Sequence, residues 1–215
     1  MCDPQRPTGN DAQSGYDPHK TLYNPLIRWS RLGVFDCIFA ALAGEGSKPE
    51  RILINTTHLK AHRTAASLLK KGAVPRRIGW TKRGLNSKLH AVCDGEGRPL
   101  ILLLSEGQMS DHRGARLVLD ALPPASTLIA DRGYDSSGFR QALTEKGIEP
   151  CIPSRRSRKV HIPHDRALYR QRHKIENMFA RLKDWRRVAT RYDRCAHTFF
   201  SAIRIAASVA FYLNQ

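Results

Sequence analysis

The chain has 215 residues, 41% of them apolar, and carries 36 Lys plus Arg against 19 Asp plus Glu, a formal net charge of +17. That length and apolar content fit one well-buried domain with at most a small appendage, and they exclude a disordered chain. A cationic surplus of this size repels itself in a compact state and calls for a polyanion, nucleic acid before an anionic membrane, with nothing to indicate a small-molecule substrate.

Residues 1–17 are polar and contain Gly and Pro, without the apolar run of a signal peptide, so they are expected to be a poorly ordered stub. From His19 to Ala43, Leu22, Leu26, Trp29, Leu32, Phe35, Phe39 and Leu42 recur at threes and fours, which predicts a single packing helix within an 18–48 helical segment. A break at Gly44–Pro49 separates it from a domain spanning 49–215. That domain opens with strand character from Arg51 to Lys60, followed by a helical or looped stretch over 61–71. Trp80 to Lys88 reads as a basic loop carrying an aromatic, either a DNA contact or a solvated entry to the next strand.

Gly84–Cys93 alternates like a half-buried strand, Asp94–Gly97 is a turn, and Pro99–Ser105 is a continuous apolar strand, so the three form a hairpin. Asp111–Leu122 reads as a helix, Thr127–Ala130 as a strand ending at Asp131, Ser136–Lys146 as a helix closed by Gly147, and Ile148–Pro153 as a strand. A basic loop follows at Arg155–Pro163, then a long helix from His164 to about Arg187 and an apolar one from His197 to Leu213. The last, interrupted by Arg204 and Ser208, is expected to be too short and too polar for a convincing membrane span and to pack on the core or help form a homodimer. This order predicts an α/β fold with a mixed sheet flanked by helices and with helical segments at both ends.

Charge is concentrated late in the chain, where residues 155–194 hold 14 Lys or Arg and 4 Asp or Glu. Most DNA affinity is therefore expected from phosphate contacts there, and it should fall steeply with salt. The cysteines at 2, 37, 93, 151 and 195 form no C-x-x-C pair, which argues against a disulfide framework or zinc site and fits a reducing, cytoplasmic setting. His58 and His62, four apart, lack a third partner at zinc spacing and are read as DNA contacts or packing groups.

Two carboxylates carry candidate chemistry. Asp131 sits where an apolar strand ends and can hold a cation, or it can cap the turn that follows. Glu176 lies on the long helix among cations. At about 100° per residue, Tyr169, Arg172, Glu176 and Lys183 fall within about 60° of one another, beside an apolar stripe of Leu168, Ile175, Phe179 and Leu182. Glu176 is then a metal ligand among phosphate-gripping cations, Lys174 and Arg181 included, or an ion-paired residue on a solvated helix.

The Y-x2-R-x3-E-x6-K pattern of Tyr169, Arg172, Glu176 and Lys183 resembles that of bacterial insertion-sequence transposases with a DDE active site. His58–Thr64, Gly84–His90, Asp131–Asp135 and Arg191–Phe200 resemble the insertion-sequence-five group in the same order, and the likeness runs from about Pro18 to Gln215. The resemblance implies an RNase H-like fold and DNA strand cleavage and transfer, acting on transposon ends and target DNA. It implies three carboxylates holding two Mg²⁺ or Mn²⁺ ions in an intact site. Asp131 then matches the second acid and Glu176 the third, with Arg172 and Lys183 on phosphate and Tyr169 orienting helix or DNA. The first acid position is Asn55, whose amide carries no charge, so catalysis is expected to be impaired, or absent in a chain that only binds DNA. The family's N-terminal helical DNA-binding segment is also expected to be missing, since only the polar stub precedes the match.

Overall fold

The computed structural model describes residues 19–44, 48–67 and 76–213; the stub read at 1–17 and part of the 61–71 stretch lie outside them. Two helices come first, α1 (His19–Arg31) and α2 (Val34–Gly44). The expected single helix breaks at Gly33, whose φ of +71° a helix cannot contain and a side chain would resist. Strand β1 (Arg51–Ala61) leads to a short helix α3 (Arg63–Ala66). Next come β2 (Gly79–Thr81), β3 (Gly84–Asp94) and β4 (Pro99–Glu106). Helix α4 (Asp111–Val118), β5 (Thr127–Ile129), α5 (Ser137–Glu145) and β6 (Glu149–Cys151) follow.

The helix read as continuous from His164 is α6 (Arg166–Tyr169), a 3₁₀ turn at Arg170–Arg172 and α7 (His173–Lys183). It ends at Trp185, which is extended, and the separate α8 (Arg186–Ala189) begins there. A two-residue strand β7 (Thr190–Arg191) and α9 (Ala196–Ser208), extended by a π turn to Leu213, complete the chain.

The sheet is ordered β4-β3-β1-β5-β6, with β2 beside β4 on the edge of β3 and β7 beside β5 on the edge of β1. β1, β3 and β4 are antiparallel, whereas β5 and β6 run parallel to β1. This is the RNase H-like arrangement of a mixed sheet flanked by helices. Strand alternation sorts the side chains into two cores. Leu53, Leu59, Leu89, Ala91 and Ile129 face Phe39, Ile175, Phe179, Leu182, Phe199 and Ile203 of α2, α7 and α9. Ile52, Ile54, Val92, Leu128 and Ala130 face Ala115, Val118, Phe139 and Leu143 of α4 and α5. Each buried Leu, Ile or Phe contributes roughly 1.5–3 kcal/mol, and this holds α7 along β1.

Contrary to the expectation that it is too short and too polar, Ala196–Leu213 is long and apolar enough to cross a membrane, because the helix starts one residue earlier and runs on through a π turn; 56% of it is buried inside the fold, where Phe199, Ile203 and Phe211 line the first core. The hairpin turn also sets α7. Gly97, at φ +84°, comes so close that a Cβ there would sit 3.2 Å from the Lys174 carbonyl, and Lys174 Nζ donates to the Gly95 carbonyl. The supposed basic loop at Trp80–Lys88 is instead the β2–β3 hairpin, with Lys82 and Arg83 exposed at its turn and Trp80 72% exposed.

Candidate functional site

Parallel pairing of Leu53 with Ile129 puts Asn55, midway along β1, level with Asp131, which lies just past the carboxyl end of β5, where open sheets gather ligands. Asn55 is half-buried, and the Thr56 backbone N–H donates to its Oδ1 at 2.8 Å. Asp131 caps the 3₁₀ turn Arg132–Tyr134 by accepting from the Gly133 N–H at 2.6 Å.

The helix side is looser. Lys183 donates to Thr57 Oγ1 at 2.6 Å, and burial pushes its ammonium below the usual lysine range. Glu176 lies two turns earlier on the same stripe, roughly 10 Å back along the axis, while Asn55 lies roughly 7 Å back along β1. Glu176 is therefore near the level of Asn55, but its side chain is 52% exposed and bonded to Arg172 at 2.6 Å. The Arg172 guanidinium lies 6.0 Å from the Tyr169 ring. Lys174 and Arg181 occupy the opposite shoulder, Lys174 at the hairpin turn and Arg181 over Phe211. Among the described residues no three His, Cys, Asp or Glu side chains converge on one point. His58 Nε2 meets the Gly107 carbonyl at 3.1 Å, and His62 caps α3 and stacks on Tyr192.

A second acid at the rim came unannounced. Asp111, the first residue of α4, accepts from Thr56 Oγ1 at 2.8 Å and pairs with Lys88 Nζ at 2.6 Å, both through Oδ1. Burial opposes its ionisation, but the hydrogen bonds from Lys88 and Thr56 outweigh that and hold its carboxyl below the usual range. A Cβ on Gly133 would lie 2.6 Å from Asp131 Oδ1 and 3.6 Å from Asp111 Oδ2, so the two carboxylates lie within about 6 Å of each other. The Tyr134 hydroxyl is buried beside them near Thr56, without a complete hydrogen bond; burial, then Asp111 and Asp131, push its phenol up. The sequence showed Asp111 only as a helix start, because its neighbours on β1 and β3 are set by long-range pairing.

A third acid fixes the basic loop. Asp135, buried, takes Arg140 Nε and Arg158 Nη2 on Oδ1, and Arg158 Nε and the Arg155 N–H on Oδ2, at 2.8–2.9 Å. Arg155 also donates to the carbonyls of Arg132 and Gly133, bolting the Arg155–Pro163 loop to the turn that holds Asp131.

Comparison with known proteins identifies the family and the fold. The family described as the transposase DDE domain matches residues 46–210. A putative transposase for insertion sequence element IS402 from Burkholderia cepacia is 35% identical over 140 residues, 56% of this chain and 64% of that protein. One for insertion sequence element IS6501 from Brucella ovis is 29% identical over 126 residues, 58% of this chain and 97% of that protein. The cryo-EM structure of a piggyBac transposase synaptic complex with hairpin DNA has the same fold at a TM-score of 0.53 and 12% identity, covering 90% of this chain and 53% of that one. The chain thus spans less than two thirds of the first of these relatives and about half of the solved one.

Proposed function

The chain belongs to the transposase DDE family, and from that premise we propose that it is an insertion-sequence transposase domain whose DNA cleavage and strand transfer are impaired at Asn55. The observation that carries this reading is that Asn55 on β1 is level with Asp131 just past the end of β5, with the Glu176 helix running along β1. The partners are DNA, at transposon ends and target, and a second copy of the chain; the setting is the cytoplasm.

The rim suits a divalent ion of the Mg²⁺ or Mn²⁺ class in its donors, since carboxylate oxygens are what hard cations take. The missing Cβ of Gly133 leaves the space between Asp131 and Asp111 open, and a buried phenol without a complete hydrogen bond stands beside it. In the proposed site Asp131 and Glu176 hold the metal, and Asn55 leaves the anionic set one charge short. When bound, the ions supply Lewis-acid activation of water or a 3′-hydroxyl and stabilisation of the leaving oxygen. The chain's own part is to grip and orient the phosphate, through Lys183, Arg172 and Tyr169 on the Glu176 shoulder, with Lys174 and Arg181 following the backbone on the other.

A non-catalytic DNA-binding remnant is the second reading, favoured by the neutral amide of Asn55 and its engagement with the Thr56 N–H. Nicking of a labelled duplex in Mg²⁺ or Mn²⁺ separates the two, with the chain compared to Asn55→Asp. Restoring the charge should raise cutting at least about 100-fold, equivalent to about 2.7 kcal/mol. Equal cutting by both would overturn the assigned role of Asn55; binding without cutting by either would favour the remnant.

A further inference from the structure

Asp111 has no assigned role in the reading above, yet it is the carboxylate best prepared to help Asp131. Its Oδ1 is fully used, by Thr56 at 2.8 Å and Lys88 at 2.6 Å. Its Oδ2 is left facing the space beside Gly133, which Asp131 Oδ1 borders from the other side. A separation of about 6 Å or less is one that a single ion, with oxygen ligands at about 2.0–2.6 Å, spans after a small side-chain movement or through one retained water. A Cβ at 133 would stand 2.6 Å from Asp131 Oδ1, so any other residue there would push the Asp131 carboxylate aside.

The Tyr134 hydroxyl points independently to a missing occupant. It is 1% exposed, lies close enough to both carboxylates to feel their charge, and has Thr56 beside it without a complete hydrogen bond. Buried hydroxyls are rarely left in that state, and a water carried by an ion would satisfy this one.

We infer that Asp111 and Asp131 form a divalent-cation site, in which Asp111 Oδ2 supplies a second carboxylate ligand beside Asp131. The inference rests on the metal-dependent reading of the Asp131 rim. Lys88 offsets one of the two negative charges, so the site takes one ion and binds it weakly, with a dissociation constant on the order of 0.1–1 mM.

The test is a titration of the full chain with Mn²⁺ alone, without DNA, with free Mn²⁺ read by electron paramagnetic resonance. The expected result is one ion bound, with Asp111→Asn and Gly133→Ala each weakening binding at least tenfold. Thermal melting checks that each variant folds; if Asp111→Asn does not, Gly133→Ala carries the test, since it alters the gap without touching a charge. Wild-type binding in either folded variant, or no binding by the unaltered chain, overturns the inference. Nicking by Asn55→Asp reports separately on the transposase reading: if that variant cuts while Asp111→Asn binds Mn²⁺ as well as wild type, the function stands and the Asp111 site falls.

Discussion

Asp135 and Glu176 are both carboxylates held by arginine, and they behave as opposites. The Asp135 side chain is 1% exposed and gripped by two guanidinium groups and a backbone N–H. That of Glu176 is 52% exposed and meets one guanidinium, Arg172, a turn away on its own helix. A buried carboxylate with its charges matched cannot leave without stranding them, whereas an exposed i, i+4 pair contributes little and is easily exchanged. The first is scaffolding, and the second is held by a contact that is readily exchanged. The strand side of the rim is thus built in advance, and the helix side is left adjustable.

The largest expected effect breaks the scaffold. Asp135→Asn leaves the nearly buried Arg140 without its counter-charge and should cost about 3–5 kcal/mol. For a chain of this size that lowers the melting temperature by roughly 10 °C. Burial opposes the Asp135 charge, but Arg158, the Arg155 N–H and Arg140 prevail and hold its carboxyl well below the usual range. The sign follows from linkage: its stabilisation is complete above the unfolded carboxylate value of about 4 and is lost as pH falls through the lower folded value. Melting curves from pH 6 to pH 2 should show this acid limb in the wild type and a smaller one in Asp135→Asn. Equal melting temperatures would mean that the buried cluster is not the scaffold.

A second test stays on the buried side. His90 is 1% exposed, with Nε2 bonded to Ser105 Oγ at 2.8 Å and Nδ1 without a partner. Burial and then Lys88 lower its pKa to about 4, outweighing the opposing pull of Asp111. A histidine depressed in the folded state binds its proton more readily when unfolded, so stability is full above about pH 6.5 and declines as pH falls towards 4. The decline attributable to His90 is about 3 kcal/mol at most. A His90→Gln variant should flatten the profile in that window; an unchanged slope would assign it to other groups.

The same contrast explains what could be read in advance. The β3–β4 hairpin, the end of β5 at Asp131 and the buried stripe of Ile175, Phe179 and Leu182 are local patterns of turn residues and periodicity, and the structure contains them. The strands Gly79–Thr81 and Thr190–Arg191 were missed because two or three residues carry no period, and only their partners on β3 and β1 make them strands. The clamp of Asp135 on Arg158 and the meeting of Asp111 with Thr56 and Lys88 span 23, 55 and 23 positions, beyond any local signal. Asn55 was legible as a neutral amide where the resemblance expects an acid, but whether another acid lies near it depends on how α4 docks on the sheet.

The smallest effect on stability should come from the residue proposed to matter most for chemistry. Glu176→Gln keeps the shape of the side chain and removes one partner of an exposed pair, so stability should change by no more than about 0.5 kcal/mol, or about 2 °C in melting. In the Asn55→Asp background the same change should lower metal-dependent nicking at least about 100-fold, equivalent to about 2.7 kcal/mol of transition-state stabilisation. Melting and nicking measured on one preparation separate the two roles. A loss of stability above about 1 kcal/mol would make the Arg172–Glu176 pair structural after all. A stable variant that nicks normally would leave Glu176 as an ordinary solvated residue, and the adjustable side of the rim would need another ligand.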